Sequence, residues 1–117
     1  MRTFICYPKC STCKKAEKWL IEHQIAYEKR DISQQNPTYE ELKEWQKKTG
    51  RPLNRFFNTS GKKYRELNLK ERLKTMSEED MLKLLASDGM LVKRPVLTGE
   101  HVLIGFREEE WNEHLES

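Results

Sequence analysis

The chain has 117 residues, a length that suits one hydrophobic core, since single cores commonly serve roughly 100–150 residues. Hydrophobic residues make up 36% of it and charged residues 35%, with Gly 5 and Pro 4, which excludes collagen-like, low-complexity and wholly disordered chains. Lys and Arg number 22 against 19 Asp and Glu, a net charge of +3 with the signs interleaved, so no basic block marks a nucleic-acid surface. No apolar run approaches the ~20 residues that a membrane-spanning helix requires.

These bounds predict a single domain over residues 1–117, with neither a membrane nor a nucleic acid as direct partner. The first residues, Met1 to Tyr7, lack the charged and apolar regions of a secretory leader, so a cytoplasmic location is expected.

Thr3 to Tyr7 is a β-branched and aromatic run closed by Pro8 and reads as a first strand. Ala16, Trp19 and Leu20 then recur at helical spacing between Cys13 and His23, and Ile25 to Ile32 reads as a second strand. Thr38 and Glu41 form a capping box that opens a helix ending near Gly50. From Pro52 to Met90 the spacing is helical, with Leu67, Leu69 and Leu73 followed by a helix start at Ser77. That helix should bury Met81, Leu82, Leu84 and Leu85 and close on Gly89. Arg94 to Leu97 and His101 to Phe106 read as a hairpin across Thr98-Gly99-Glu100, and Trp111 with Leu115 marks a final helix. The order predicts an α/β thioredoxin-like fold: a mixed four-stranded sheet with a helical insertion at about residues 37–90 between the second and third strands.

The aromatic residues Trp19, Trp45, Phe56, Phe57, Phe106 and Trp111 lie at core spacing. Chemistry concentrates in Cys6, Cys10 and Cys13, after which the chain has no further cysteine. Cys10-Ser11-Thr12-Cys13 lies where the first strand gives way to the first helix, and that context makes C-x-x-C a redox motif. A thiolate at a helix N-terminus faces unpaired N–H groups and the positive end of the macrodipole, with Lys9 and Lys14 adding charge. Cys10 is therefore the expected nucleophile, and Cys13, one helical turn on, the expected resolving thiol. Cys6 shares a strand face with Phe4 and reads as core.

Structural zinc would need four ligands, and His23, His101 and His114 stand in no paired spacing with another ligand, so no metal is expected. The C-x3-C-x2-C spacing of iron–sulfur enzymes is taken as coincidental, because Cys6 falls inside a strand. Arg94-Pro95 opens the third strand, where a thioredoxin-like fold commonly places a cis proline against the redox cysteine. Arg94 would then reach Cys10 and stabilise its thiolate or hold an oxyanion or glutathione carboxylate. Lys9, Ser11, Thr12 and Pro95 complete the expected substrate-binding surface.

Tyr7 to Ala16 with Trp19-Leu20, Phe57 to Gly61 with Tyr64 to Leu67, Ala86 to Met90 and Arg94-Pro95 together resemble the arsenate reductase-like (ArsC/Spx) family. The resemblance spans nearly the whole chain and implies a thioredoxin-like fold, a reactive Cys10 and Arg94 beside a cis proline. It implies either a thiol–disulfide oxidoreductase or a Spx-type redox-sensing regulator whose partner would be the RNA polymerase alpha subunit. No bound cofactor is implied; the reductant would be glutathione or a protein of glutaredoxin or thioredoxin type. Two departures stand out: arsenate reductases of this kind carry arginines where this chain has Asn58 and Phe106. Each lost charge-assisted contact is worth roughly 1.5–3 kcal/mol, so weak or absent arsenate reduction is expected unless Arg55, Arg65 or Arg107 substitutes. The glycine that Spx-type regulators turn toward the polymerase falls at Arg51 or Pro52, which speaks against that partner.

Overall fold

β1, Arg2–Cys6, is an inner strand, and its composition follows from that position. Phe4, Ile5 and Cys6 are buried in succession rather than alternately, as expected of a strand covered on both faces. A computed structural model supplies these coordinates and describes residues 2–115. β1 pairs in parallel with β2, Tyr27–Asp31, and antiparallel with β3, Val96–Thr98. β4, Leu103–Ile104, completes the order β2-β1-β3-β4, the mixed four-stranded sheet of a thioredoxin-like fold.

A parallel pair needs a crossover, and α1, Ser11–Glu22, provides it. Cys13, Ala16, Trp19 and Leu20 line its buried stripe. They pack into one cluster with Phe4 and Cys6 of β1, Leu97, Leu103, and Trp111 of α6, Glu108–Leu115. The Trp111 ring meets Trp19 edge-on at 5.7 Å and Phe106 edge-on at 4.8 Å, and its indole N–H donates to the Gly105 carbonyl at 3.2 Å. The Tyr27 hydroxyl and the Lys29 ammonium both donate to the Glu17 carboxylate, at 2.7 and 3.0 Å, and so tie β2 to α1.

The expected hairpin forms, but β4 is two residues long instead of running from His101 to Phe106. Gly99 and Gly105 adopt positive φ, +145° and +80°, conformations that L side chains rarely adopt. After Gly105 donates its N–H to the Pro95 carbonyl at 2.7 Å, the chain leaves the sheet and Phe106 turns onto Trp111.

These elements belong to one compact unit, made of the chain up to Asp31 and from Arg94 onward; Ile32–Lys93, between β2 and β3, forms a second. The second unit holds α2, Tyr39–Thr49, α3, Lys62–Glu66, α4, Leu69–Arg72, and α5, Glu78–Ser87, with 3-10 turns at Leu53–Phe56 and Gly89–Leu91. The capping box is present: Thr38 Oγ1 accepts from the Glu41 N–H at 3.1 Å, and the Glu41 carboxylate accepts from the Thr38 N–H at 3.0 Å. Gly50 closes α2 at φ +66°. Ser77 caps α5 by accepting from the Asp80 N–H at 3.1 Å.

Two expectations for this unit, the burial of Leu84 and the cap at Gly89, are corrected. Leu84 is only partly buried, because Met81, Leu82 and Leu85 alone form the buried stripe of α5, and Leu67, in the turn after α3, is exposed. Gly89 is not the cap of α5, which ends at Ser87 with Asp88 extended at φ −158°, ψ 116°. Gly89 lies instead in the following 3-10 turn, where a Cβ would collide with the Ile32 carbonyl oxygen and crowd the Asn36 side chain. Its N–H donates to Asn36 Oδ1 at 3.1 Å, so glycine is required for close approach. Gly89→Ala should therefore destabilise the protein by about 1–3 kcal/mol through forced displacement of the Ile32 backbone. Gly50→Ala, which meets no neighbour and carries only left-handed strain, should lose about 1 kcal/mol. Urea unfolding midpoints measure both, and an unchanged midpoint for Gly89→Ala would refute the close-approach account.

Candidate functional site

Pro8 and Lys9 carry the chain out of β1, and the Cys10 N–H donates to the Tyr7 carbonyl at 3.0 Å, closing the turn. Cys10 then takes the N-cap position of α1 in extended conformation, at φ −90°, ψ 120°. Its carbonyl accepts from the Lys14 N–H at 3.2 Å, so the backbone begins the helix while the sulfur stands at its open end. No acidic residue occupies the first turn, and Lys9, Ser11, Thr12 and Lys14 are exposed around it.

Cys10 has no close side-chain cap hydrogen bond, which suits a neutral thiol, a weak acceptor. The anion fares better. Partial burial opposes ionisation of Cys10, but the Cys13 backbone N–H, the Cys13 thiol and the Arg94 guanidinium together hold its pKa below the ordinary thiol value. Cys13 behaves oppositely. Burial, aided by the charge of the neighbouring Cys10, pushes it up to about 12, although the Tyr7 N–H donates to its Sγ at 3.4 Å. Ionisation is eased at the outer sulfur and opposed at the inner one.

Arg94 reaches this place through strand register. β3 pairs Thr98, Leu97 and Val96 with Thr3, Phe4 and Ile5, and continuing that antiparallel register by two residues sets Arg94 opposite Tyr7. The Arg94 guanidinium carbon lies 5.3 Å from the centroid of the Tyr7 ring, and the Arg94–Pro95 peptide is cis with Pro95 buried. Cys10, Cys13 and Arg94 thus share one end of β1, and Pro95 follows Arg94 through the cis peptide. Tyr7, read from the sequence only as a strand end, contributes both an N–H to Cys13 and a ring beneath Arg94. Only its place just beyond β1, opposite the residue before Pro95, could have marked it.

The positions where arginines are missing have other employment. The Asn58 carboxamide oxygen accepts from the Ser60 hydroxyl at 3.1 Å and its backbone N–H donates to the Leu91 carbonyl at 2.8 Å, a local turn device. Phe106 is held by Trp111, and Arg107 is exposed ahead of α6. Cys6 is buried beside Cys13, as its strand face predicted, and burial raises its pKa. His101 and His114 bring their ring centroids to 5.1 Å, a pairing not visible in sequence, yet among the described residues no third ligand joins them.

An asymmetric C-x-x-C thiol pair at the strand-to-helix turn of a thioredoxin-like sheet defines a protein of the thiol-oxidoreductase-like kind. This chain belongs to the ArsC family, whose model matches residues 6–114. It is 57% identical over 113 residues to the uncharacterized protein YusI of Bacillus subtilis (strain 168), covering 96% of each chain. It is 31% identical over 111 residues to the global transcriptional regulator Spx of Staphylococcus saprophyticus, covering 94% of this chain and 83% of that protein. Among solved structures, an ArsC family related protein from Bacteroides fragilis superposes with a TM-score of 0.93 at 53% identity, over 96% of this chain and 95% of that one. A protein of Streptococcus mutans UA159 described as a possible arsenate reductase superposes with a TM-score of 0.87 at 42% identity, over 96% of this chain and 98% of that one.

Replacing Arg94 with Ala removes both a hydrogen bond to the Cys10 thiolate and the positive charge beside it. Iodoacetamide alkylation of Cys10 should rise with pH through a pKa below the ordinary thiol value in the wild type, and through a higher one in Arg94→Ala. Superimposable pH–rate curves would remove Arg94 from the site.

Proposed function

We propose that this protein is a cytosolic thiol–disulfide oxidoreductase in which Cys10 attacks a disulfide substrate and Cys13 resolves the mixed disulfide. The observation that carries the reading is the opposite ionisation bias of the two sulfurs. The Cys10 thiolate attacks one substrate sulfur, forming a mixed disulfide and releasing the other half as a thiolate. Bonding consumes the negative charge on Cys10 that had helped hold the proton on Cys13, so Cys13 becomes easier to deprotonate at this step. Cys13 then attacks Cys10 Sγ, the bond between Cys10 and the retained substrate sulfur breaks, and that departing sulfur takes the Cys13 proton, leaving a Cys10–Cys13 disulfide for an external thiol to reduce.

Arg94, Lys9, Ser11, Thr12 and Pro95 form the substrate surface in this reading, and glutathione or a glutaredoxin- or thioredoxin-type protein is the reductant. The cationic character of Arg94 and Lys9 suits a substrate bearing carboxylates. Arsenate suits it less, since Asn58 and Phe106 supply no charge. A second reading is a redox-sensing regulator that uses the same disulfide as a switch, favoured by the 31% identity to Spx over 94% of this chain. Its partner would be the RNA polymerase alpha subunit, to which affinity should change on oxidation without turnover.

Turnover of a glutathione mixed disulfide, with reductant supplied, distinguishes the two. Cys10→Ser should abolish turnover, whereas Cys13→Ser should trap the substrate on Cys10 as a mass adduct. Arsenate should be reduced at least about tenfold more slowly, the consequence of losing one charge-assisted contact. Wild-type protein that cycles with neither substrate but binds the polymerase subunit only when oxidised would establish the regulator instead.

A further inference from the structure

The proposed reaction leaves one thiol unused, and that thiol is not isolated. Cys6 and Cys13 sit in the same buried cluster, 2% and 3% exposed, with Cys10 packed against its edge. Cys6 follows Phe4 on the face of β1 that packs under α1, so its side chain and that of Cys13 enter the cluster from the strand and from the helix. The Tyr7 N–H, on the residue after Cys6, holds the Cys13 sulfur at 3.4 Å over the end of β1. The three cysteines therefore gather around one cluster, Cys10 half-buried at its edge and Cys6 and Cys13 inside it.

We propose that Cys6 is a third redox thiol, which takes over Cys13 from the Cys10–Cys13 disulfide and returns Cys10 to its thiolate form. This rests on the oxidoreductase reading, which supplies the first disulfide from an external disulfide oxidant. In the added step the Cys6 sulfur attacks Cys13 Sγ while its proton passes to the departing Cys10 sulfur, which stands at the rim and releases it to solvent. The Cys6–Cys13 bond forms, the Cys10–Cys13 bond breaks, and the electron pair of the broken bond leaves on Cys10. No net oxidation or reduction accompanies this exchange. Its direction follows from leaving-group chemistry, because the thiol with the lowest pKa departs fastest, and Cys10 has Arg94 and the helix N-terminus to receive its charge.

The product hides the oxidising equivalents from solvent, since both bonded cysteines are buried. External thiols could not attack it directly. Reduction would run back through Cys10, the half-buried thiol at the rim, so that Cys10 is both the entrance and the exit. Oxidised protein in this state still carries a reactive Cys10 and can form a mixed disulfide with a second substrate.

Peptide mapping of the wild-type protein tests the step, and one variant adds a reactivity readout. Trypsin cleaves after Arg2, Lys9 and Lys14, which separates Cys6, in residues 3–9, from Cys10 and Cys13, in residues 10–14. Wild-type protein oxidised with oxidised glutathione, quenched in acid, alkylated and digested should yield peptide 3–9 linked to peptide 10–14. Fragmentation should place the link on Cys13, with Cys10 alkylated or glutathionylated. Oxidised wild type should also retain a Cys10 that reacts with iodoacetamide, and oxidised Cys6→Ala should lose it. If every disulfide lies within peptide 10–14 and Cys6 is recovered only as the free thiol, the third-thiol role is overturned while the Cys10–Cys13 reaction stands. If Cys10 enters neither a mixed disulfide nor an internal one, the oxidoreductase reading itself falls.

Discussion

The direction of β1 sets the geometry on which the rest of the site depends. As an inner strand it must be paired on both sides, in parallel with β2 and antiparallel with β3. The parallel partner obliges the chain to leave the far end of β1 through a crossover helix, which begins at Cys10. The antiparallel partner obliges β3 to start at that same end, which brings Arg94 and Pro95 there. One strand thus delivers a helix N-terminus, a cation and a pair of sulfurs to one place, with Tyr7 as the residue they share.

Within that place, two cysteines three residues apart experience opposite chemistry. Cys10 stands at the rim, where desolvation is incomplete and the Cys13 N–H and Arg94 favour the anion. Cys13 points into the apolar cluster, where desolvation dominates and an adjacent negative charge adds to it. The asymmetry is a property of depth rather than of residue type. It permits an ordered reaction, because bonding at the outer sulfur removes the charge that protects the inner one. Cys6 shares the buried environment of Cys13, and burial raises its pKa as well.

The departures from arsenate reductases are equally physical. Phe106 is an edge-on partner of Trp111 in the packing of α6, and the Asn58 side chain closes a turn through Ser60. Each residue has a structural partner that an arginine could not satisfy in the same way. The one cation carried to the sulfur pair by the sheet itself, Arg94, is present.

Much of this was legible in the amino-acid order, because it depends on short-range rules. Strand followed by proline and helix placed Cys10 at a helix start, the Thr38–Glu41 pair declared its capping box, and Arg94-Pro95 announced the edge of β3. Local rules erred where long-range contact overrode them: Gly89 looked like a helix cap and is a close-approach glycine, and β4 was cut to two residues by the conformation of Gly105. The sequence by itself determined the order of elements and which cysteine stands at the helix start, since capping and spacing act within a few residues. Only the tertiary structure decided that Tyr7 lies beneath Arg94 and that Cys6 and Cys13 are buried in one cluster, because strand register and the burial of one helix face are set by pairing partners far away in the chain.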